Sequence, residues 1–243
     1  MIDIKEHEEL SRLNHSCAHM MAQAVKRLYP QAKFWVGPVI SEGFYYDIDL
    51  GDEVIKEEDL AKIEKEMKKI AKDGKRIVRK EISKEEALEM FQNDPYKIDL
   101  ISDLEDGTIT CYQQGEFIDL CRGPHVDTVK QLKNFKLLKH SGAYWKGDAS
   151  NKMLQRIYGI CFPTAEELED HLHLLEEAKK RDHKKLGREL GLFMMSEFAP
   201  GMPFFLPNGM IIRNLLENFW YEEHTKENYQ FIKTPIMMSK ELW

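Results

Sequence analysis

No stretch of the 243 residues reaches the ~18 consecutive apolar positions that a membrane-crossing helix needs, and the opening MIDIKEHEEL is charged where a secretory leader would be apolar. Both absences point to a soluble protein with no membrane partner and, by default, to the cytoplasm. A CxxC pair is missing as well. The four cysteines, Cys17, Cys111, Cys121 and Cys161, are scattered, which in a cytoplasmic chain suits free thiols or site residues rather than disulfide staples. Basic charge is not in excess: a formal net charge of −7 argues against a chain that clings to polyanions over its whole surface, because that affinity comes from neutralising many phosphates. Internal repeats and low-complexity segments are absent too. What remains is an ordinary globular composition, 42% hydrophobic, in a length that suits one large domain or two ordinary ones.

Apolar residues Leu10, Leu13, Cys17, Met20, Met21, Ala24 and Leu28 recur at helical spacing from Glu6 to Leu28, where Tyr29-Pro30 ends the run. KFWVGPVISEGFYYDIDL follows, aromatic and β-branched with Gly-Pro and Gly punctuation, and reads as strands in which Phe44, Tyr46, Ile48 and Leu50 share a face. A second helix is expected from about Glu57 to Lys72 with Gly74 as its stop. Then come the strand RIVRKEI, a capping box at Ser83 and Glu86 opening a short helix, and a largely β region over 108–162. Thr164 and Glu167 form another capping box, opening a charged helix that continues to a stop near Gly191. An amphipathic helix from about Met210 to Asn228 and a strand in YQFIKTPIMM complete the pattern. Residues 65–80 hold eight basic side chains against two acidic ones, a run that by itself is a solvated helix face.

The chemistry concentrates in two places. His15 and His19, four apart on a helix, point the same way, roughly opposite the Leu10, Leu13, Met20 and Ala24 stripe at about 100° per residue. The other is EFIDLCRGPHV, where Asp119 and Cys121 share a strand face and the RGP turn brings His125 back toward Cys121. HxxxH from a helix and CxxxH from a strand and turn make a set of four nitrogen and sulfur donors that suits tetrahedral zinc. The same set suits a metal-free hydrolytic pocket in which imidazoles position a water, and the spacing does not separate the two.

HSCAHMMAQAV, GFYYDIDL, DPYK, FIDLCRGPHV and GAYWKGDASNKMLQRIYG, in that order, resemble the editing domain of the bacterial-type threonyl-tRNA synthetases. The resemblance implies an α+β fold in three parts. A helix-packed antiparallel editing domain occupies 1–162, a linker helix 163–191, and an incomplete class II catalytic segment 192–243. In the last part NGMIIRNLLENFWYEEHTKENYQFIKTPIMM is similar to motif 1, which builds the homodimer interface in that family. By the same resemblance His15, Lys97 and Cys121 form a catalytic group, while His19, Tyr46, Asp119 and His125 bind the substrate, and tRNA(Thr) is the partner. Lys97 has a bland alternative as a surface lysine, and Tyr46 as core packing. Editing is expected to need no cofactor, with zinc on His15, His19, Cys121 and His125 as the alternative. ATP and a catalytic zinc belong only to the full-length enzyme. Motifs 2 and 3 would lie beyond Trp243, so the expected activity is hydrolysis of mischarged seryl-tRNA(Thr) and not ligation. The competing readings are a zinc-dependent alanyl-type editing domain and a non-catalytic module that binds tRNA or dimerises.

Overall fold

The computed structural model describes residues 3–105, 107 and 109–242, so the outermost residues Met1 and Trp243, and Thr108 at the start of the expected β region, lie outside the described residues. The chain forms two compact units, Met1–Leu172 and His173–Trp243. The architecture is α+β with antiparallel sheets, as the resemblance implied.

In the first unit the order is α1 (Glu8–Leu28), β1 (Lys33–Phe34), β2 (Val39–Ile40), β3 (Gly43–Asp49), α2 (Glu57–Asp73), β4 (Ile77–Ile82), α3 (Lys84–Met90), α4 (Pro95–Ser102), β5 (Ile109–Gln114), β6 (Phe117–Leu120), β7 (Asn134–Tyr144) and β8 (Met153–Phe162). β3, β8 and β7 lie side by side, and the short β1 and β2 both pair along the free side of β3, all antiparallel. β4, β5 and β6 form a second, three-stranded sheet. α1 packs on β3, β8 and α2, with Met20, Met21, Phe44, Ile48, Ile63 and Met67 in one continuous core. Phe44, Tyr46, Ile48 and Leu50 are all buried, as their period-two spacing predicts.

Local signals place most boundaries. His7 accepts the Leu10 N–H as N-cap, so α1 starts two residues later than its apolar pattern. Gly74, with φ of 66°, ends α2 in the left-handed conformation that glycine adopts at no steric cost. Ser83 and Glu86 close their capping box, and so do Thr164 and Glu167. Burial of α1 extends beyond its apolar stripe: its histidine face is covered by the β5–β6 hairpin and the turn that follows, through Ser16 to Val126 and Gln23 to Gln114 and Glu116, so residues 16–25 are buried all round.

Two expectations change near and within the second unit. The charged helix expected to continue to Gly191 is two, α5 (Ala165–Lys180) and α6 (His183–Glu189), because Asp182 turns its carboxylate onto the Lys185 N–H and caps a new helix. β9 (Phe193–Met194) and β10 (Phe204–Phe205) form a small hairpin before α7 (Pro207–Lys226). YQFIKTPIMM is not a strand: it has no ladder partner among the described residues, and Pro235 brings no N–H to one.

Candidate hydrolytic site

Three segments far apart in sequence converge beside the middle of α1. The first is α1 itself, which supplies His15 and His19 from consecutive turns. The second is the end of β6 and its turn, where the Cys121 N–H donates to Thr110 O at 3.1 Å and so extends the β5 pairing beyond the strand. Gly123 takes φ of 75°, and a side chain there would collide with the Tyr112 hydroxyl, so glycine is required for the chain to turn back. That reversal puts His125 Nε2 3.1 Å from Cys121 Sγ, and His15 Nε2 is equally close at 3.1 Å. The third is α4, which sequence reading missed although Asp94-Pro95 carries its start signal. The Asp94 carboxylate accepts the Tyr96 and Lys97 N–H groups, Pro95 sits in the first turn, and Asp94 also accepts the Phe34 N–H at 2.9 Å, which ties α4 to β1.

α4 delivers Lys97 inward. It is no surface lysine: only 3% exposed, its Nζ lies 2.5 Å from Asp119 Oδ1 and donates to Trp35 O at 2.9 Å and to Tyr46 Oη at 3.3 Å. Tyr46 donates its own hydroxyl to the other Asp119 oxygen. Burial, then the Asp119 charge, pushes the Tyr46 phenol well above its usual range, so it stays a donor. A buried ammonium, carboxylate and phenol thus satisfy one another.

The imidazoles are held neutral. Burial lowers His15, against a backbone hydrogen bond to Pro124 that pulls the other way. Burial together with the neighbouring His15 and Lys97 charges lowers His19 further, which makes its 3.9 Å approach to Asp119 no ion pair at neutral pH. His125 is pushed down to about 2, by burial first and then by His19 and His15. Its tautomer follows from Ser16, which sequence reading also missed. The Ser16 hydroxyl spends its one proton on Arg12 O at 2.8 Å and accepts from Val126 N–H, so His125 Nδ1–H donates to it at 3.0 Å and the Nε2 lone pair faces Cys121. The Cys121 thiol is pushed up to about 12 by burial, with the Gly123 N–H opposing, so it carries its proton at pH 7.

His15, His19, Tyr46, Lys97 and Cys121 line one cavity of about 390 Å³, walled by residues 35–38. Asp119 stands behind Lys97, and His125 stands behind Cys121. All seven residues singled out in the sequence therefore meet in one place. The donor atoms of His15, His19, Cys121 and His125 lie within 4.8 Å of one another. Three neutral imidazoles and a thiol, one ring already anchored through its second nitrogen to Ser16, suit zinc in number and type.

Residues 109–158, which carry Asp119, Cys121 and His125, match the family described as the threonyl and alanyl tRNA synthetase second additional domain. The match extends well beyond that module. The chain is 54% identical over 246 aligned residues to the threonine–tRNA ligase of Syntrophomonas wolfei, covering 100% of this chain and 39% of the relative. It is 56% identical over 242 residues to that of Clostridioides difficile, covering 98% and 37%, and 51% identical over 257 to that of Clostridium tetani, covering 100% and 40%. The chain belongs with the threonine–tRNA ligases and spans about 40% of the length of these relatives.

Proposed function

We propose that this chain removes serine from mischarged tRNA(Thr) by hydrolysing the ester to the terminal ribose. Serine and threonine differ by one methyl, which a binding pocket turns into only ~1–3 kcal/mol of discrimination, so a second, smaller sieve is needed. The observation that carries the reading is the shared cavity: a buried Lys97–Asp119 pair and a neutral His15 open onto the same space, walled by the buried Tyr46 and His19.

The chain's own residues supply the parts of such a reaction. Neutral His15 accepts the proton of the attacking water. Lys97 has three N–H groups and three protein partners, and the 3.3 Å bond to Tyr46 is the weakest, so the developing oxyanion displaces it and takes a charge-assisted donor. The ribose oxygen then leaves with a proton from the His15 imidazolium, giving free serine and an intact tRNA 3′ end. Cys121 borders the water; with its thiol pushed up to about 12 it serves as a donor rather than a nucleophile. Asp119 orients Lys97 and Tyr46, His19 and Tyr46 fix the size of the seryl pocket, and His125 holds Cys121 in its wall. If zinc is held by His15, His19, Cys121 and His125, it supplies Lewis-acid activation at this place; the steps above use none.

The test is serine release from seryl-tRNA(Thr), with threonyl-tRNA(Thr) as control and with or without a strong chelator. Serine-selective hydrolysis that survives chelation is expected. Hydrolysis lost on chelation and restored by zinc favours the zinc-dependent alanyl-type reading, which the convergence of two imidazole lone pairs on one thiol supports, and no hydrolysis with either substrate overturns the proposal. A cytoplasmic place suits this function, and among the described residues no helix is long and apolar enough to cross a membrane. The exposed Ile211, Leu215, Phe219 and Trp220 on α7 suit pairing with a second copy, which light scattering over a concentration series would detect.

A further inference from the structure

A second feature of the first unit has no part in the pocket. Lys68 and Lys72 on α2 face Lys130 and Lys133 on the segment between His125 and β7, and the four line a groove of about 340 Å³ floored by Ala71 and Phe135. All four lysines are exposed, and none has a side-chain ion pair or hydrogen bond among the described residues. Their neighbours in sequence differ: Lys62 and Lys69 on α2 and Lys136 on β7 are paired with Asp59, Glu66 and Glu64. Lys68 and Lys72 stand one helical turn apart, so α2 holds two like charges together with no acid between them. With a net charge of −7 the chain as a whole repels polyanions, and this groove is where that repulsion is locally reversed.

We infer that the groove formed by Lys68, Lys72, Lys130 and Lys133 seats the phosphate backbone of a double-helical RNA, the acceptor stem of the tRNA whose 3′ end enters the His15 and Cys121 cavity. Two arguments favour an RNA backbone. Lys130 lies five residues after His125, at most about 18 Å of chain, so one ligand reaches both. Lysine point charges beside an apolar floor hold phosphates without reading bases, which is what a substrate recognised by its aminoacyl end requires. This inference rests on the proposed editing function for the identity of the RNA.

The test uses the full chain and a hairpin carrying the acceptor stem of tRNA(Thr), with binding followed by fluorescence anisotropy over a salt series. Each phosphate contact contributes about 0.9 to the slope of log affinity against log salt. The variant K68A/K72A/K130A/K133A is expected to lose about 3.6 from that slope, and K68R/K72R/K130R/K133R to keep it. KM for seryl-tRNA(Thr) is expected to rise at least tenfold in the alanine variant, while hydrolysis of a short seryl-adenosine ester stays unchanged. An unchanged salt slope in the alanine variant overturns the groove even if deacylation is normal, and so does binding of inorganic phosphate lost without any change in RNA affinity. Failure of the wild-type chain to hydrolyse either ester sinks the editing function instead and leaves the slope to decide the groove.

Discussion

Replacing Lys97 by Met tests the buried ion pair directly. Lys97 and Asp119 are 3% and 1% exposed and meet at 2.5 Å, so methionine leaves an uncompensated carboxylate in the interior. Removing one partner of such a pair costs about 3–5 kcal/mol. Here Asp119 keeps the Tyr46 hydroxyl and has His19 at 3.9 Å, which places the expected loss near the lower end, about 3 kcal/mol. For a unit the size of Met1–Leu172 that is a fall in melting temperature of about 6–12 °C by calorimetry. The double variant Lys97→Met with Asp119→Leu removes both charges and strands only neutral groups, the Trp35 carbonyl and the Tyr46 hydroxyl. Its loss should fall short of the sum of the two single losses by about 2 kcal/mol or more, while serine release stays abolished. Additive losses, or a Lys97→Met protein that melts within about 2 °C of the parent, would falsify the argument that these charges hold one another in the core.

The buried imidazoles make stability depend on pH. His125 falls from 6.5 unfolded to about 2 folded, so its contribution is fully present above pH 6.5 and declines below it as the unfolded chain takes up the proton. His125→Asn should therefore flatten the stability profile between pH 6.5 and 4 by up to about 1.4 kcal/mol per pH unit, and parallel profiles would contradict the placement. Gly37→Ala would put a methyl into the Tyr46 ring, and overpacking of this kind costs about 1–3 kcal/mol; the serine-release rate should drop at least tenfold, and a normal rate would mean that Tyr46 does not shape the pocket. With its thiol at about 12, Cys121 has on the order of one thiolate in ten thousand at pH 8, so iodoacetamide should leave it unlabelled in the native chain by mass spectrometry; rapid labelling would reopen a nucleophilic role.

Much of the candidate site was legible because its residue types are rare in that spacing. HxxxH fixes two imidazoles on one helical face whatever surrounds them, and a cysteine followed by RGPH is forced by its turn to meet its own histidine. Lys97 was legible only through resemblance. Nothing in its spacing distinguishes a lysine that points inward, and its burial depends on α4, whose short length leaves little periodic signal. Ser16 carries no signal of its own either, since its role in fixing the His125 tautomer requires Arg12, Val126 and His125 around one hydroxyl.

By itself the sequence determined the elements with local causes: the α1 and α2 stripes, the capping boxes at Ser83 and Thr164, the Gly74 stop, and the two donor pairs. Those follow from backbone sterics and nearest neighbours along the chain. Only the tertiary structure decided that β6 closes over α1, which turns the helix face opposite the apolar stripe into a buried pocket and shifts the imidazole, phenol and thiol titrations in it. It also decided that Lys97 lies against Asp119 and that four lysines from two distant segments share one groove. Such pairings join residues up to 110 positions apart, and no local propensity encodes a contact that exists only once the sheets have packed.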